Sequence, residues 1–426
     1  MPKDNFPTEY IGRNFSTEVK NVNRLTLEFA KAAAKNQDDK SDNLVISPYN
    51  ALHCLAMVAA GADGETRREM AETLFGVDAA ELDDAITSLS ELNEKILAAN
   101  KGQVELKTAN GVWTNKDLLT LDGDYADGLR KDFGAEISAE NFANPAVVDQ
   151  INDWADKNTN GLIKKILDEL KPEDFAVLAS SLYFKGQWTN KFDKELTEEK
   201  AFTADGGLRQ TTPMMHQEFD EEGEIRYLDG DDFESVALTY GKKDYENGKE
   251  PTMRLLLIRP KDDNVSARDW LLSQKSDTLP VWSEPMAYRD AVGTVELPRM
   301  DIKQKHDIIP VLQDMGINDA FNSVTADFSK MTEEKARGLY ISQVSHDTVF
   351  KTDEEGSEAA AVTTAVMTLE CASMPPPKID VKFDRSYVFA LQDVKTGAII
   401  FAGTVNKPNE DMKPVAEKTA KNAPKR

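Results

Sequence analysis

Between Thr17 and Lys35 apolar residues recur at three- and four-residue spacing. Val19, Val22, Leu25, Leu27, Phe29 and Ala32 fall near one face, the stripe of an amphipathic helix. Leu44-Val45-Ile46 reads as a short buried strand. Ser47 then offers a helix cap and Pro48 a first helical residue, and the helix they open, Tyr49 to Ala60, is apolar on nearly every side. A helix with no polar face has to be buried. Further helices are expected over Glu65 to Leu74, stopped at Gly76, and over Ala79 to Asn100. Val104 to Thr114 alternates as a strand, and Ala146 to Leu167 reads as one surface helix with a break near Asn160-Gly161.

From residue 177 onward strand patterns take over. They cover Val177 to Phe184, Val236 to Tyr240, Met253 to Ile258, Gly293 to Leu297, Leu339 to Val344, Ile379 to Phe383, Tyr387 to Asp393 and Ile399 to Val405. Short helices are expected at Asp307 to Met315 and Asp327 to Met331. Helices come first, strands follow, and the two do not alternate regularly, which predicts an α+β fold rather than a doubly wound sheet. No internal repeat and no Gly-, Pro- or Ser-rich linker divides the chain, so one large domain is expected.

One segment fits neither pattern. KTDEEGSEAAAVTTAVMTLECASM, residues 351–374, has no proline, many small residues and an acidic start, and runs straight into Pro375-Pro376-Pro377. In an extended conformation Ser357, Ala359, Ala361, Thr363 and Ala365 share one face, small enough to lie over a core, while Glu358 points the other way. Every residue keeps its backbone donor, so the segment can lie in a loop or pair on both sides as a central strand. That dual capacity points to a switch.

Charge narrows the partners. With 75 acidic and 51 basic residues the chain carries a net charge of −24, which excludes nucleic acid and anionic membranes as expected partners. The only cysteines are Cys54 and Cys371, too few and too far apart for a disulfide framework, so packing has to hold the fold. No apolar run spans a bilayer and no signal-peptide pattern is visible at the start. The expected location is secreted or cell-surface if an upstream signal has been removed, and otherwise cytoplasmic.

Enzyme motifs are missing. His53, His216, His306 and His346 occur in no HExxH or paired metal-ligand spacing, and there is no GxSxG elbow, phosphate loop or GxGxxG. Asp122-Gly123-Asp124 with Asp127-Gly128 resembles a calcium loop superficially. The glycine falls one position late and Phe133 stands where a glutamate is needed, so a turn into a helix is expected instead. Neither a metal nor a cofactor is implied.

A series of segments, taken in order, closely resembles the serpin family over roughly Asn14 to Pro408. They are NLVISPYNALHCLAMVAAGADGETRREM from Asn43, NGVW at Asn110, WADKNTNGLI at Trp154, YFKGQW at Tyr183 and PMM at Pro213. Leu297-Pro298, GINDAF at Gly316, ADFSKM at Ala326, Leu339 to His346, EEGSEAAA at Glu354 and FAGTVNKP at Phe401 complete the series. The resemblance implies three β-sheets, eight or nine helices, an exposed reactive-centre loop over about 354–378 and a metastable native state. Residues 1–13 become an N-terminal extension and 409–426 a disordered tail. Two cysteines and a proline-rich loop base suit a prokaryotic member.

The implied activity is suicide inhibition. A target serine protease cleaves the loop and stays bound as an acyl-enzyme while the loop's first part inserts into the central sheet. A monomer that forms this covalent complex is expected. The hinge is Glu354, Gly356, Ser357, Glu358, Ala359, Ala360 and Ala361, free of proline and of inward-facing charge, which fits an inhibitory member. Counting from Glu354 places the reactive bond at Glu370-Cys371, with Thr368, Leu369 and Met374 as alternatives because the segment after Cys371 is longer than usual. These point to Glu-specific, chymotrypsin-like or elastase-like targets. Ser47, Asn50 and His346 match the family's shutter beneath the sheet, and Ser180 stands where the family usually has Asn, predicting a rewired network. Trp188 and Glu354 match the breach, where the loop enters; core packing is an equal reading of Trp188. A carrier or storage role without inhibition is the alternative.

Overall fold

The computed structural model describes residues 15–243, 249–275, 279–335, 338–357, 376–409 and 412–414. Eight α-helices occur among them: α1 (Thr17–Asn36), α2 (Pro48–Ala60), α3 (Gly64–Met70), α4 (Leu82–Asn100), α5 (Gly123–Phe133), α6 (Ala146–Asn158), α7 (Ala267–Ser273) and α8 (Ile309–Met315). Local chemistry sets their ends. The Ser16 and Ser47 hydroxyls accept the amides of Val19 and Asn50 at the starts of α1 and α2. A π turn, Ala71–Phe75, extends α3 and stops at left-handed Gly76. Eleven of the thirteen residues of α2 are buried, Leu52, Leu55, Ala56 and Met57 among them, as its all-round apolarity requires.

The first sheet contains β1 (Leu44–Ile46), β16 (Ile399–Val405), β15 (Tyr387–Asp393), β9 (Met253–Pro260), β8 (Phe233–Tyr240) and β7 (Ile225–Asp229), neighbours in that order. Its central strands β15 and β16 are buried throughout and mostly apolar, with α1 and α2 packed against β16. The sheet continues through β10 (Arg289–Pro298), whose first residues pair with β7. Beyond them β10 enters a second sheet, antiparallel to β6 (Arg209–Phe219) and parallel to β14 (Lys378–Lys382). There β5 (Glu198–Thr203) and β17 (Lys413–Pro414) also pair with β6. The third sheet comes in two halves: β3 (Glu136–Glu140), β2 (Glu105–Asn115), β4 (Ala176–Gln187) and β13 (Gly356–Ser357) on one side, β11 (Met300–Asp307) and β12 (Ser345–Thr352) on the other.

Three expectations need correction. Leu339 to Val344 is not a strand; the strand is the next stretch, Ser345–Thr352, so His346 lies within it rather than after it. The helix from Ala146 ends at Asn158 instead of continuing to Leu167. Asn160 (φ 50°) and Gly161 (φ 83°) are left-handed, and the Asn152 side chain then ties the following chain down at Ile166 and Leu167. Past Pro408 the chain does not leave the body at once, because Lys413 and Pro414 pair with Thr211 and Gln210 of β6.

Candidate functional site

The division of the third sheet is the site. β4 pairs with β2 along one edge, whereas on its other edge only Gln187 and Gly186 find strand partners among the described residues, in β13. β12 pairs with β11, and among the described residues no ladder joins β12 to β4. The lips enclose a cavity of about 500 Å³, lined by Leu178, Ser180 and Leu182 from β4, His346 and Thr348 from β12, and Asn50 of α2. Interior edges that share no ladder are templates for another strand.

At the top of the slot the chain after Thr352 turns onto the edge of β4. Gly356 and Ser357 lie opposite Gln187 and Gly186, antiparallel to β4. Gly356 has φ 139°, and a Cβ there would lie 2.2 Å from Gly186 O and 2.8 Å from Gln187 Cα, both backbone atoms, so only glycine fits. Ser357 is buried, its hydroxyl 3.2 Å from the Tyr240 hydroxyl. Trp188 holds the turn before it: Nε1 donates to Asp353 O at 2.8 Å and the backbone amide to Glu355 O at 3.0 Å, while the indole stacks on Tyr240 with centroids 4.2 Å apart. Trp188 is therefore both core and clamp.

Two consecutive carboxylates anchor the same turn. Glu354 is 1% exposed. Burial pulls its carboxyl up, but the Arg299 guanidinium (2.6 to 3.0 Å) and the Thr197 hydroxyl (2.5 Å) outweigh it and leave the group below its usual range. Glu355 reaches Lys191 at 2.7 Å and Lys194 at 3.0 Å, which also hold its carboxyl low.

Beneath the slot, α2 ties down each lip separately. On the β4 side Ser180 Oγ donates to Asn50 Oδ1 at 2.7 Å and Asn50 Nδ2 donates to Ser180 O at 3.0 Å; Cys54 Sγ points to Leu178 O at 3.7 Å. On the β12 side the Ser47 amide donates to His346 Nε2 at 2.9 Å and Thr348 Oγ1 to Val45 O at 2.7 Å. An imidazole nitrogen that accepts is unprotonated, and burial, with His306 adding to it, pushes His346 down to about 3. Ser47 Oγ donates to Ile400 O at 2.8 Å, fixing the cap to the sheet below. Among the described residues no hydrogen bond joins Ser180 to His346, so these contacts form two anchors and not a bridge across the lips. Burial also pushes the Cys54 thiol up to about 12, leaving it unreactive.

The structure thus brings Ser47, Asn50, Ser180 and His346 together under the slot and Trp188, Glu354, Gly356 and Ser357 at its top. Glu358, Ala359, Ala360, Ala361, Thr368, Leu369, Glu370, Cys371 and Met374 lie outside the described residues. Arg299, Thr197, Tyr240 and Lys191 were not found from sequence. A buried glutamate demands a cation, but nothing in the order of residues says which of 51 lysines and arginines supplies it.

A family model described as serpin (serine protease inhibitor) matches residues 20–408, and the chain belongs to that family. Among curated relatives, Iripin-2 of Ixodes ricinus is 30% identical over 90% of this chain and 92% of its own length. Serpin B10 of Bos taurus is 29% identical over 92% and 99%. Among solved structures, the native state of the thermophilic serpin tengpin has a TM-score of 0.76 at 27% identity, covering 91% of this chain and 94% of tengpin. Thyroxine-binding globulin in complex with thyroxine has a TM-score of 0.74 at 25% identity, covering 92% and 99%.

Proposed function

We propose that this chain is a suicide-substrate inhibitor of serine proteases that traps the acyl-enzyme by inserting its cleaved loop between β4 and β12. The observation that carries the reading is the seated hinge. Gly356 and Ser357 already occupy two rungs on the edge of β4 that faces β12, its strand pairing there among the described residues. Continued in that register, each step along the loop moves one residue back along β4. Ala359 then comes opposite Phe184, Ala361 opposite Leu182, Thr363 opposite Ser180 and Ala365 opposite Leu178, all on the face of buried Ser357. Small residues on that face can cover the cavity without displacing its lining. From Ser357 the register reaches the start of β4, Ala176, at Met367, which leaves the reactive-bond candidates from Thr368 onward past the end of the ladder. An insertion of about 11 residues at roughly 3.3 Å each carries a tethered protease about 36 Å.

Incubation with elastase-like, chymotrypsin-like and Glu-specific serine proteases tests this. One of them should give a complex that survives SDS, and mass spectrometry of the released loop should place the cut between Thr368 and Met374. Cleavage of the loop by all of them with no covalent complex would exclude inhibition. The competing reading, a carrier, is favoured by one observation: a similar structure, thyroxine-binding globulin, is solved with thyroxine bound. A carrier can bind its ligand without loop insertion, so the covalent complex separates the two.

A further inference from the structure

The cavity under the slot extends beyond the two lips. It continues on the outer face of β4, where Trp154 of α6 and Leu162, Ile163, Ile166 and Leu170 of the chain after it close it over. Alternation along β4 sets what faces this chamber. Ser180 points to Asn50 of α2, so Ser181 points the opposite way, toward α6. Two polar groups here are orphaned: Trp154 Nε1 and Ser181 Oγ are buried with no hydrogen-bond partner among the described residues, their residues 8% and 6% exposed. Buried donors are nearly always satisfied, and one left unmet costs about 1–3 kcal/mol. Both residues line the same cavity, whose volume of about 500 Å³ suits a drug-sized molecule. Its walls are chiefly aliphatic and aromatic. On the chain after α6 the charged lining residues are Glu169, Glu173 and Asp174 against one cation, Lys171, a balance that disfavours an anionic ligand.

We infer that this outer chamber binds an uncharged, mainly apolar small molecule whose carbonyl oxygen accepts the Trp154 indole N–H, with the Ser181 hydroxyl as the second polar contact. The molecule lies against β4 and β12, so it stands where the lips must move to admit a strand, and its binding opposes loop insertion. That second consequence rests on the inhibitor reading; the site itself does not.

Prodan, a neutral naphthyl ketone whose emission shifts to the blue in apolar surroundings, is the probe. Titrated into the intact full chain it should bind at one saturable site with blue-shifted emission. Trp154→Phe keeps an aromatic ring against Trp113, whose ring lies 5.2 Å from that of Trp154, and removes the donor; it should weaken binding about tenfold, and Ser181→Ala, a smaller change on the strand, about threefold. Absence of saturable binding, or equal affinity in the intact chain and both variants, overturns the site. Cleavage of the reactive loop then separates the two claims. Release of prodan supports both, while retention of prodan after cleavage leaves the site standing and overturns the opposition to insertion.

Discussion

Gly356→Ala tests the seated hinge at a single atom. At φ 139° the new Cβ would meet Gly186 O at 2.2 Å, Gln187 Cα at 2.8 Å and Trp188 N at 2.9 Å, and all three are backbone atoms of the lip that cannot swing aside. An alanine in this backbone region costs about 1–3 kcal/mol in strain alone. The ladder pairings to Gln187 and Gly186 favour seating equally in both chains and cancel from the difference. Strain plus the backbone clash, about 3 kcal/mol, makes the seated hinge roughly a hundredfold rarer. Insertion has to begin at this rung, and its delay gives the acyl-enzyme time to hydrolyse. The variant should be cut as a substrate, and the moles of chain consumed per mole of protease inactivated should rise at least tenfold. The intact variant should keep its thermal midpoint within a few degrees, since only the top rungs are lost. A variant that inhibits with unchanged stoichiometry would refute the argument that insertion starts at Gly356.

Three further predictions rest on other parts of the site. Ala359→Pro removes a donor and Ala361→Arg brings a cation to the inward face, so each should convert inhibition to plain cleavage; full inhibition by both would exclude the proposed register. Arg299→Met leaves the Glu354 carboxylate with Thr197 as its remaining described partner and should lower stability by about 1–2 kcal/mol, discounted because the Arg299 side chain is 43% exposed; an unchanged denaturation midpoint at pH 7 would show that the pair does not hold the turn. His53 and His346 are kept neutral by burial, pushed down to about 4 and about 3 from 6.5. The unfolded chain takes up both protons first, so the stability these rings contribute is complete above about pH 6.5 and is lost as pH falls toward their folded values. Between pH 7 and pH 5 each ring should cost about 2 kcal/mol, read as a falling denaturation midpoint that His53→Phe makes shallower; an identical slope in that variant would remove His53 from the account.

Much of this architecture was legible in the chain, and the failures have physical causes. β9, β15 and β16 announce themselves through the apolar runs Leu255–Ile258, Tyr387–Leu391 and Ile399–Ala402, and the cap-and-proline start of α2 marks where that helix begins. β12 was missed because its inward positions include His346, Thr348 and Thr352 beside Phe350, so its buried face does not look hydrophobic. The apolar-looking Leu339 to Val344 before it instead runs as a connection, held by Ile341 N to Ala320 O, with Tyr340 exposed. β6 is interrupted by Pro213, which demotes a strand in any pattern search yet is accommodated here, its carbonyl accepting the Arg299 amide. At the site, Ser47, Asn50, Ser180 and His346 gather under the slot and Trp188, Glu354, Gly356 and Ser357 at its top. Those that complete it, Arg299, Thr197, Tyr240 and Lys191, come from separate elements, and only the fold puts them around Glu354, Glu355 and Ser357.

The account turns on whether the slot between β4 and β12 accepts the loop as a strand. The most direct measurement is the thermal midpoint of the full chain before and after one cut between Thr368 and Met374. Insertion would add a strand between β4 and β12 and cover the cavity, and should raise the midpoint by about 10 °C or more. An unchanged or lower midpoint in the cleaved chain would contradict the central claim.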